Sequence, residues 1–289
     1  MEVNVRRENI LNILIDSMDT RYWGPSGWKL LHSITFSYEG KLKNHYNDFF
    51  NVIAFLLPCK FCRKSYSEYI LNDPIDVRSK EAFTKWLWRI HNKVNEKLRT
   101  QGLCNHEDPL FSEVKKFYEE KLNRGCSRVN FEGWEFLFSI VEAHPTSKLS
   151  LASKPFDTTK DVLINTPLLR NIYNVMEPSE RLTYYKQFWK LVPKVLPFSE
   201  WRKLWSDKGS WETRAESLKN LYAIRCDLEN KLELQNKTKF SYLCRELRIY
   251  KSGCNKSKRS KTCRSATRKQ KGGNKIGEGI GGIVTMNQN

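Results

Sequence analysis

The chain has 289 residues, 39% of them apolar, with 9 Trp, 12 Tyr and 15 Phe. Such a supply of large side chains can bury a core over two domains, which excludes wholesale disorder. The net charge of +18 is uneven, because from Lys251 onward ten Lys or Arg stand against Glu278 alone. No stretch is long, apolar and uncharged enough for a membrane span. The N-terminus does not read as a secretory signal: the apolar run from Ile10 to Ile15 is short, is broken by Asn12 and runs into Asp16 and Asp19.

In chain order, 4–16 predicts a short lead-in helix. Ser26 reads as the N-cap of a helix over 28–38, with apolar or aromatic residues at 28, 30, 31, 34 and 36. A second helix is expected over 45–57. Pro58 then starts a third, since proline suits a first helical turn, and Asn72-Asp73-Pro74 ends it. The clearest helix is 79–101, where Phe83, Trp86, Leu87, Ile90, Val94 and Leu98 form one stripe and Gly102 is the stop. Another helix is expected over 110–122, followed by punctuation at Gly125-Cys126-Ser127. A second apolar block opens at Phe131. The stretch 144–157, with two Pro and four Ser or Thr, reads as a linker. Helical patterns resume at 168–175, 180–195, 211–234 and 240–250. Residues 251–289 are basic, Gly-rich and Ser-rich, and read as a disordered tail. With almost no strand pattern, the fold class is all-α.

The eight cysteines are 59, 62, 104, 126, 226, 244, 254 and 263. Without a signal, they point to catalysis, metal or chance rather than to a disulfide framework. Cys59 and Cys62 form a C-x-x-C pair, which is a dithiol centre, half of a metal site or two buried thiols. A helix start and the neighbouring Arg63 and Lys64 favour thiolates there. Zinc needs four ligands, and His91, Cys104, His106 and Cys126 show no paired spacing, so no metal is expected. His91 and Asn95 lie four apart on one helix face with Asn92 beside them, and two amides are poor choices for a purely apolar face. A core histidine and core tryptophans are the plain alternative. No Gly-rich dinucleotide fingerprint follows a strand.

Taken together, Trp23-Gly24-Pro25, Trp28 and His32, then Pro58-Cys59 and Cys62, then His91-Asn92, Val94, Asn95 and Leu98 resemble the Erv/Alr family of FAD-linked sulfhydryl oxidases. The similarity covers roughly residues 15–125 and extends to viral members, the mimivirus type among them, that carry an added C-terminal domain. It implies a four-helix bundle binding FAD, with Cys62 next to the flavin and Cys59 as the outer sulfur attacked by incoming thiolates. The cofactor-binding positions it implies are Trp23, Gly24, Trp28, His32, His91, Asn92, Val94, Asn95 and Lys97, with Tyr118 or Phe111 against the adenine. It also implies a structural disulfide for which Cys104 and Cys126 are candidates, and a mobile relay pair for which Cys254 and Cys263 are candidates. Electrons would pass from protein thiols through the pair to FAD and on to O2, giving H2O2. A homodimer, and a place in the host cytoplasm at viral factories and in virions, complete the expectation.

The expected domains are 1–127, 128–250 and the tail 251–289. A faint repeat relates the first two. Residues 28–34 line up with 134–140, 57–64 with 196–203, and 87–98 with 221–232. In the second set Phe198 and Trp201 replace Cys59 and Cys62, while Arg225 and Cys226 replace His91 and Asn92. Either the second domain is a degenerate Erv-like copy, or amphipathic helices merely resemble one another. The tail can contact acidic partners or nucleic acid non-specifically, by charge alone. The competing reading of the whole chain is a non-enzymatic basic helical scaffold or nucleic-acid-binding protein with a structural Cys/His metal site.

Overall fold

The computed structural model describes residues 18–125, 130–151, 153, 155–156 and 164–251. The expected lead-in helix, Cys126, Cys254, Cys263 and the tail beyond Lys251 lie outside the described residues. The rest is helical. The first half holds α1 (Thr20–Phe36), α2 (Lys43–Leu56), α3 (Lys60–Asn72), α4 (Lys80–Thr100) and α5 (Phe111–Asn123). The second holds α6 (Trp134–Glu142), α7 (Lys148–Leu151), α8 (Pro167–Ile172), α9 (Pro178–Val195), α10 (Ser199–Leu204), α11 (Arg214–Lys231) and α12 (Phe240–Ile249).

Local chemistry explains several helix ends. Ser79 caps α4 by accepting from the Ala82 N–H at 3.1 Å, and Gly102, at φ +65°, lets the chain leave it. Asp73 follows α3 as its C-cap, in keeping with the Asp73-Pro74 stop. Two starts differ from expectation. Helix α1 begins at Thr20 behind an Asp19 cap and runs through Pro25, so the chain is helical well before Ser26. Ser26 instead accepts from the Phe136 N–H at 3.3 Å and caps α6, whose own N-cap, Gly133, has no side chain to offer. Helix α3 begins at Lys60, with Cys59 as N-cap and Pro58 standing just outside it.

Helix α1 packs on α4, α5 and α6; α2 packs on α3 and α9; α3 packs on α4 and α8. In the second half α6 and α9 are the counterparts: α6 packs on α11 and α12, and α9 on α10. The buried apolar residues form one continuous core through both halves rather than two separate cores. The stretch expected as a linker is partly built into that core. His144 is fully buried; its Nδ1 accepts from the Thr146 N–H at 3.1 Å, and its Nε2 lies 3.2 Å from the Trp211 carbonyl. Composition alone points to a loop there, because the partner at Trp211 is distant in sequence.

Candidate redox site

The α2–α3 junction presents the C-x-x-C pair. The Leu57-Pro58 step ends α2 and turns the chain, and Cys59, in an extended conformation, accepts from the Cys62 N–H on its sulfur at 3.4 Å. The pair therefore spans the N-cap and the first turn of α3, where unpaired N–H groups and the helix dipole favour a negative sulfur. The junction is pinned from several sides. Arg63 donates to the Leu57 carbonyl at 3.0 Å and to Asn174 at 3.1 Å. Asn171 donates to the Ala54 carbonyl at 2.6 Å, and Arg181 to the Phe55 carbonyl at 2.9 Å. These carbonyls belong to the last turn of α2, which has no helical partners for them.

Cys62 opens onto a mainly apolar cleft between α1, α3 and α4. Its walls include Trp23, Gly24, Trp28, Val94, Asn95 and Lys97, six of the positions expected to bind the cofactor. Asn95 is buried and donates to Asp108 at 2.8 Å, which fixes its amide. Lys97 reaches across to the Ser65 hydroxyl at 2.6 Å.

Beside the cleft, Trp28 stacks on His91 with ring centres 3.9 Å apart. His91 Nδ1 and His32 Nε2 lie 3.1 Å apart, so one imidazole donates to the other. Tyr118 is buried and stacks on His32 at 5.2 Å. Burial pushes the His91 pKa down to about 3 and that of His32 well below its ordinary value, His91 and Lys121 adding to the latter. Both rings are neutral near pH 7. His32 Nδ1 and His91 Nε2 are buried with no hydrogen-bond partner among the described residues.

The other expected residues fall as follows. Asn92 is half-buried and is not among the cleft walls. Phe111 packs edge-on against Trp88, away from His32, so Tyr118 is the aromatic that the fold brings to the histidines. Cys59, expected as the outer sulfur, is 1% exposed, because the N-cap position is packed into the core. Cys104 is a buried free cysteine; its expected partner Cys126 lies outside the described residues. Among the described residues no group of three or more His, Cys, Asp or Glu is gathered to hold a metal ion. None of their helices is long and apolar enough to cross a membrane. Phe136 also lines the cleft, yet comes from the second half, and the sequence reading missed it.

The profile of the Erv1 / Alr family matches residues 25–118, from Pro25 in α1 to Tyr118 in α5. Over 105 residues the chain is 31% identical to the FAD-linked sulfhydryl oxidase of African swine fever virus, covering 35% of this chain and 83% of that protein. The chain belongs to the Erv1/Alr family. It is also 36% identical over 96 residues to the mitochondrial FAD-linked sulfhydryl oxidase ERV1 of Saccharomyces cerevisiae, covering 32% of this chain and 51% of that protein. The probable FAD-linked sulfhydryl oxidase R368 of Acanthamoeba polyphaga mimivirus is 34% identical over 87 residues, covering 27% of this chain and 59% of that protein. The chain thus spans about half the length of some relatives and most of others. No solved structure gives a significant match. The Erv1/Alr match includes the dithiol junction and every expected cofactor position except Trp23 and Gly24, which immediately precede it.

Proposed function

We propose that the chain is an FAD-dependent thiol oxidase that forms disulfides in proteins. The observation that carries this reading is the placement of Cys62, at a helix N-terminus and in the wall of a deep, mainly apolar cleft that contains most of the expected cofactor positions. The residues fit a flat cofactor. Trp23, Trp28 and Phe136 offer ring faces, and Asn95 and Lys97 offer donors. Two neutral histidines hold unpartnered buried nitrogens beside them.

The protein's own steps are thiol–disulfide exchanges. A substrate thiolate attacks the Cys59 sulfur of the Cys59–Cys62 disulfide, forming a mixed disulfide and releasing the Cys62 thiolate. A second substrate thiolate attacks the substrate sulfur, so the substrate leaves oxidised and the pair is left as a dithiol. The α3 N-terminus stabilises each thiolate that leaves. FAD held by these residues would supply a two-electron acceptor for that dithiol, with O2 as the final acceptor and H2O2 as its product.

Burial of Cys59 makes a small, mobile relay an advantage over direct docking of a folded substrate. Cys254 and Cys263 suit that role. Lys251, three residues before Cys254, pairs with Met18, and the Met18 N–H donates to the Pro58 carbonyl at 3.0 Å. The basic residues around the relay pair would favour thiolates and acidic partners. Purified full-length protein should be yellow and should consume oxygen with dithiothreitol. A folded but colourless, inactive protein overturns the proposal. Unchanged turnover of a Cys254→Ala/Cys263→Ala variant on a protein substrate removes the relay.

A further inference from the structure

The two halves share more than helix content. In the first, α1 lies on α4, α2 on α3 and α3 on α4; in the second, α6 lies on α11, α9 on α10 and α10 on α11. The junctions before α3 and α10 match in detail. Leu57 and Leu196 take nearly the same backbone angles, φ −48°, ψ 130° and φ −49°, ψ 141°. Arg63 donates to the Leu57 carbonyl at 3.0 Å, and Arg202 donates to the Leu196 carbonyl at 2.6 Å. Trp28 stacks on His91, while Trp134 lies under the guanidinium of Arg225, the residue in the His91 place.

The contacts between the halves carry the inference. Equivalent helices face each other: α1 meets α6, and α2 meets α9. In a two-fold interface a residue on the axis meets its own copy, and off the axis every contact occurs twice. Both signs are present. Phe49 and Phe188, equivalent in the register that aligns Leu57 with Leu196, stack on each other at 5.4 Å. Gly27 is closed over by the Phe136 ring, and Gly133, its equivalent, by Leu30, the equivalent of Phe136.

The second half does not repeat the cleft. Phe131 stacks on Trp134 at 4.1 Å, and Trp201, in the place of Cys62, packs on Phe131 at 4.5 Å. Trp205 adds a further ring near Trp134. Aromatic side chains occupy the space that Trp28 faces in the first half.

We propose that residues 130–251 are a catalytically silent copy of the first bundle, bound to it as the second member of an internal two-fold pair. The copy completes the redox site by supplying Phe136 to the cleft wall and Asn171 and Arg181 to the carbonyls before Cys59. The face that a homodimer would use is filled by the chain itself, so the working unit is one chain with one site. The silent copy is thus the partner that this face of the bundle accepts.

Light scattering on the purified full-length chain at micromolar concentration tests the pairing without any assumption about flavin. One chain, 34.2 kDa, is expected; a stable two-chain particle overturns the internal pair. The site-completing role rests on the FAD reading and has its own test. The Phe136→Ala variant should keep the wild-type far-ultraviolet spectrum and retain several-fold less FAD than wild type purified alongside it. If that variant does not fold, Phe136→Leu, which keeps an apolar contact with Gly27, is measured instead. Retention equal to wild type overturns the role of Phe136, whereas a colourless wild type counts against the FAD reading and leaves the mass result standing.

Discussion

The two bundles use one frame for different ends. Each has a Leu-Pro turn into a short helix, an arginine that returns to the leucine carbonyl, and a tryptophan on its first helix. In the first bundle the positions after the turn carry sulfur, and the tryptophan faces a cleft. In the second they carry Phe198 and Trp201, and the tryptophan is buried under rings. The frame is therefore separable from the chemistry. A few positions decide whether the space inside it is kept open for a cofactor or filled for stability.

The comparison breaks most sharply at the aligned positions 62 and 201. Cys62→Ala or Cys59→Ala should lower oxygen consumption with dithiothreitol at least about a thousandfold, since each removes a group that takes part in the bond exchange. Trp201→Ala leaves the dithiol intact and should cost about 3–5 kcal/mol in thermal or denaturant unfolding, as the loss of a buried ring. A Trp201→Ala variant of unchanged stability would mean that the second bundle is not held by its filled interior.

Acid should separate the halves next. His32 and His91 are neutral when folded, and their places in the second half hold Phe138 and Arg225. Unfolding exposes both imidazoles to ordinary protonation near pH 6.5. The unfolded chain thus binds protons that the folded chain refuses, and stability should fall as pH drops below about 6.5, down towards about 3. The slope is at most about 1.4 kcal/mol per pH unit for each histidine. His32→Phe, which copies the second half, should flatten the curve measured by denaturant unfolding between pH 7 and 5; an unchanged slope would show that other groups set it.

Smaller differences are expected at the matched arginines and glycines. Arg63 is buried and Arg202 only half-buried. Arg63→Met, which takes one of two donors from the Leu57 carbonyl and leaves the Cys59 N–H at 2.7 Å, and also takes a donor from Asn174, should cost about 1–3 kcal/mol, and Arg202→Met less. Equal losses would mean that exposure does not separate the two junctions. Gly133 has φ +114°, and a Cβ there would meet Leu30 at 2.7 Å, so Gly133→Ala should destabilise by roughly 1–2 kcal/mol. Gly27 is helical and a Cβ would sit 3.1 Å from the Phe136 ring, so gain in helix propensity and crowding nearly offset, and Gly27→Ala should change stability by less than about 1 kcal/mol.

Much of this was readable in the residue order. The stripe on α4, the Ser79 and Gly102 ends, the stop at Asp73 and the dithiol turn all follow from local rules, and six positions of the family motif line the cleft. What escaped was long-range. Ser26 looks like the cap of the helix that follows it, yet it caps α6, more than a hundred residues away. Pro58 looks like a first-turn proline, yet the cap geometry falls on Cys59. Nothing local in Asn171 or Arg181 announces that they serve carbonyls at the end of α2. Phe136 could have been suspected, because its helix aligns with α1 and a glycine precedes the tryptophan in both.

The mismatch at the paired glycines has a further consequence. Two identical subunits joined on this face would present the same side chain at both crossings, so a change that helped one would be imposed on the other. Within one chain the crossings vary independently. Leu30 covers Gly133, and the larger ring of Phe136 covers Gly27 on the side that also lines the cleft. Fusing the pair has let one wall be shaped for the pocket while its twin is shaped only for packing.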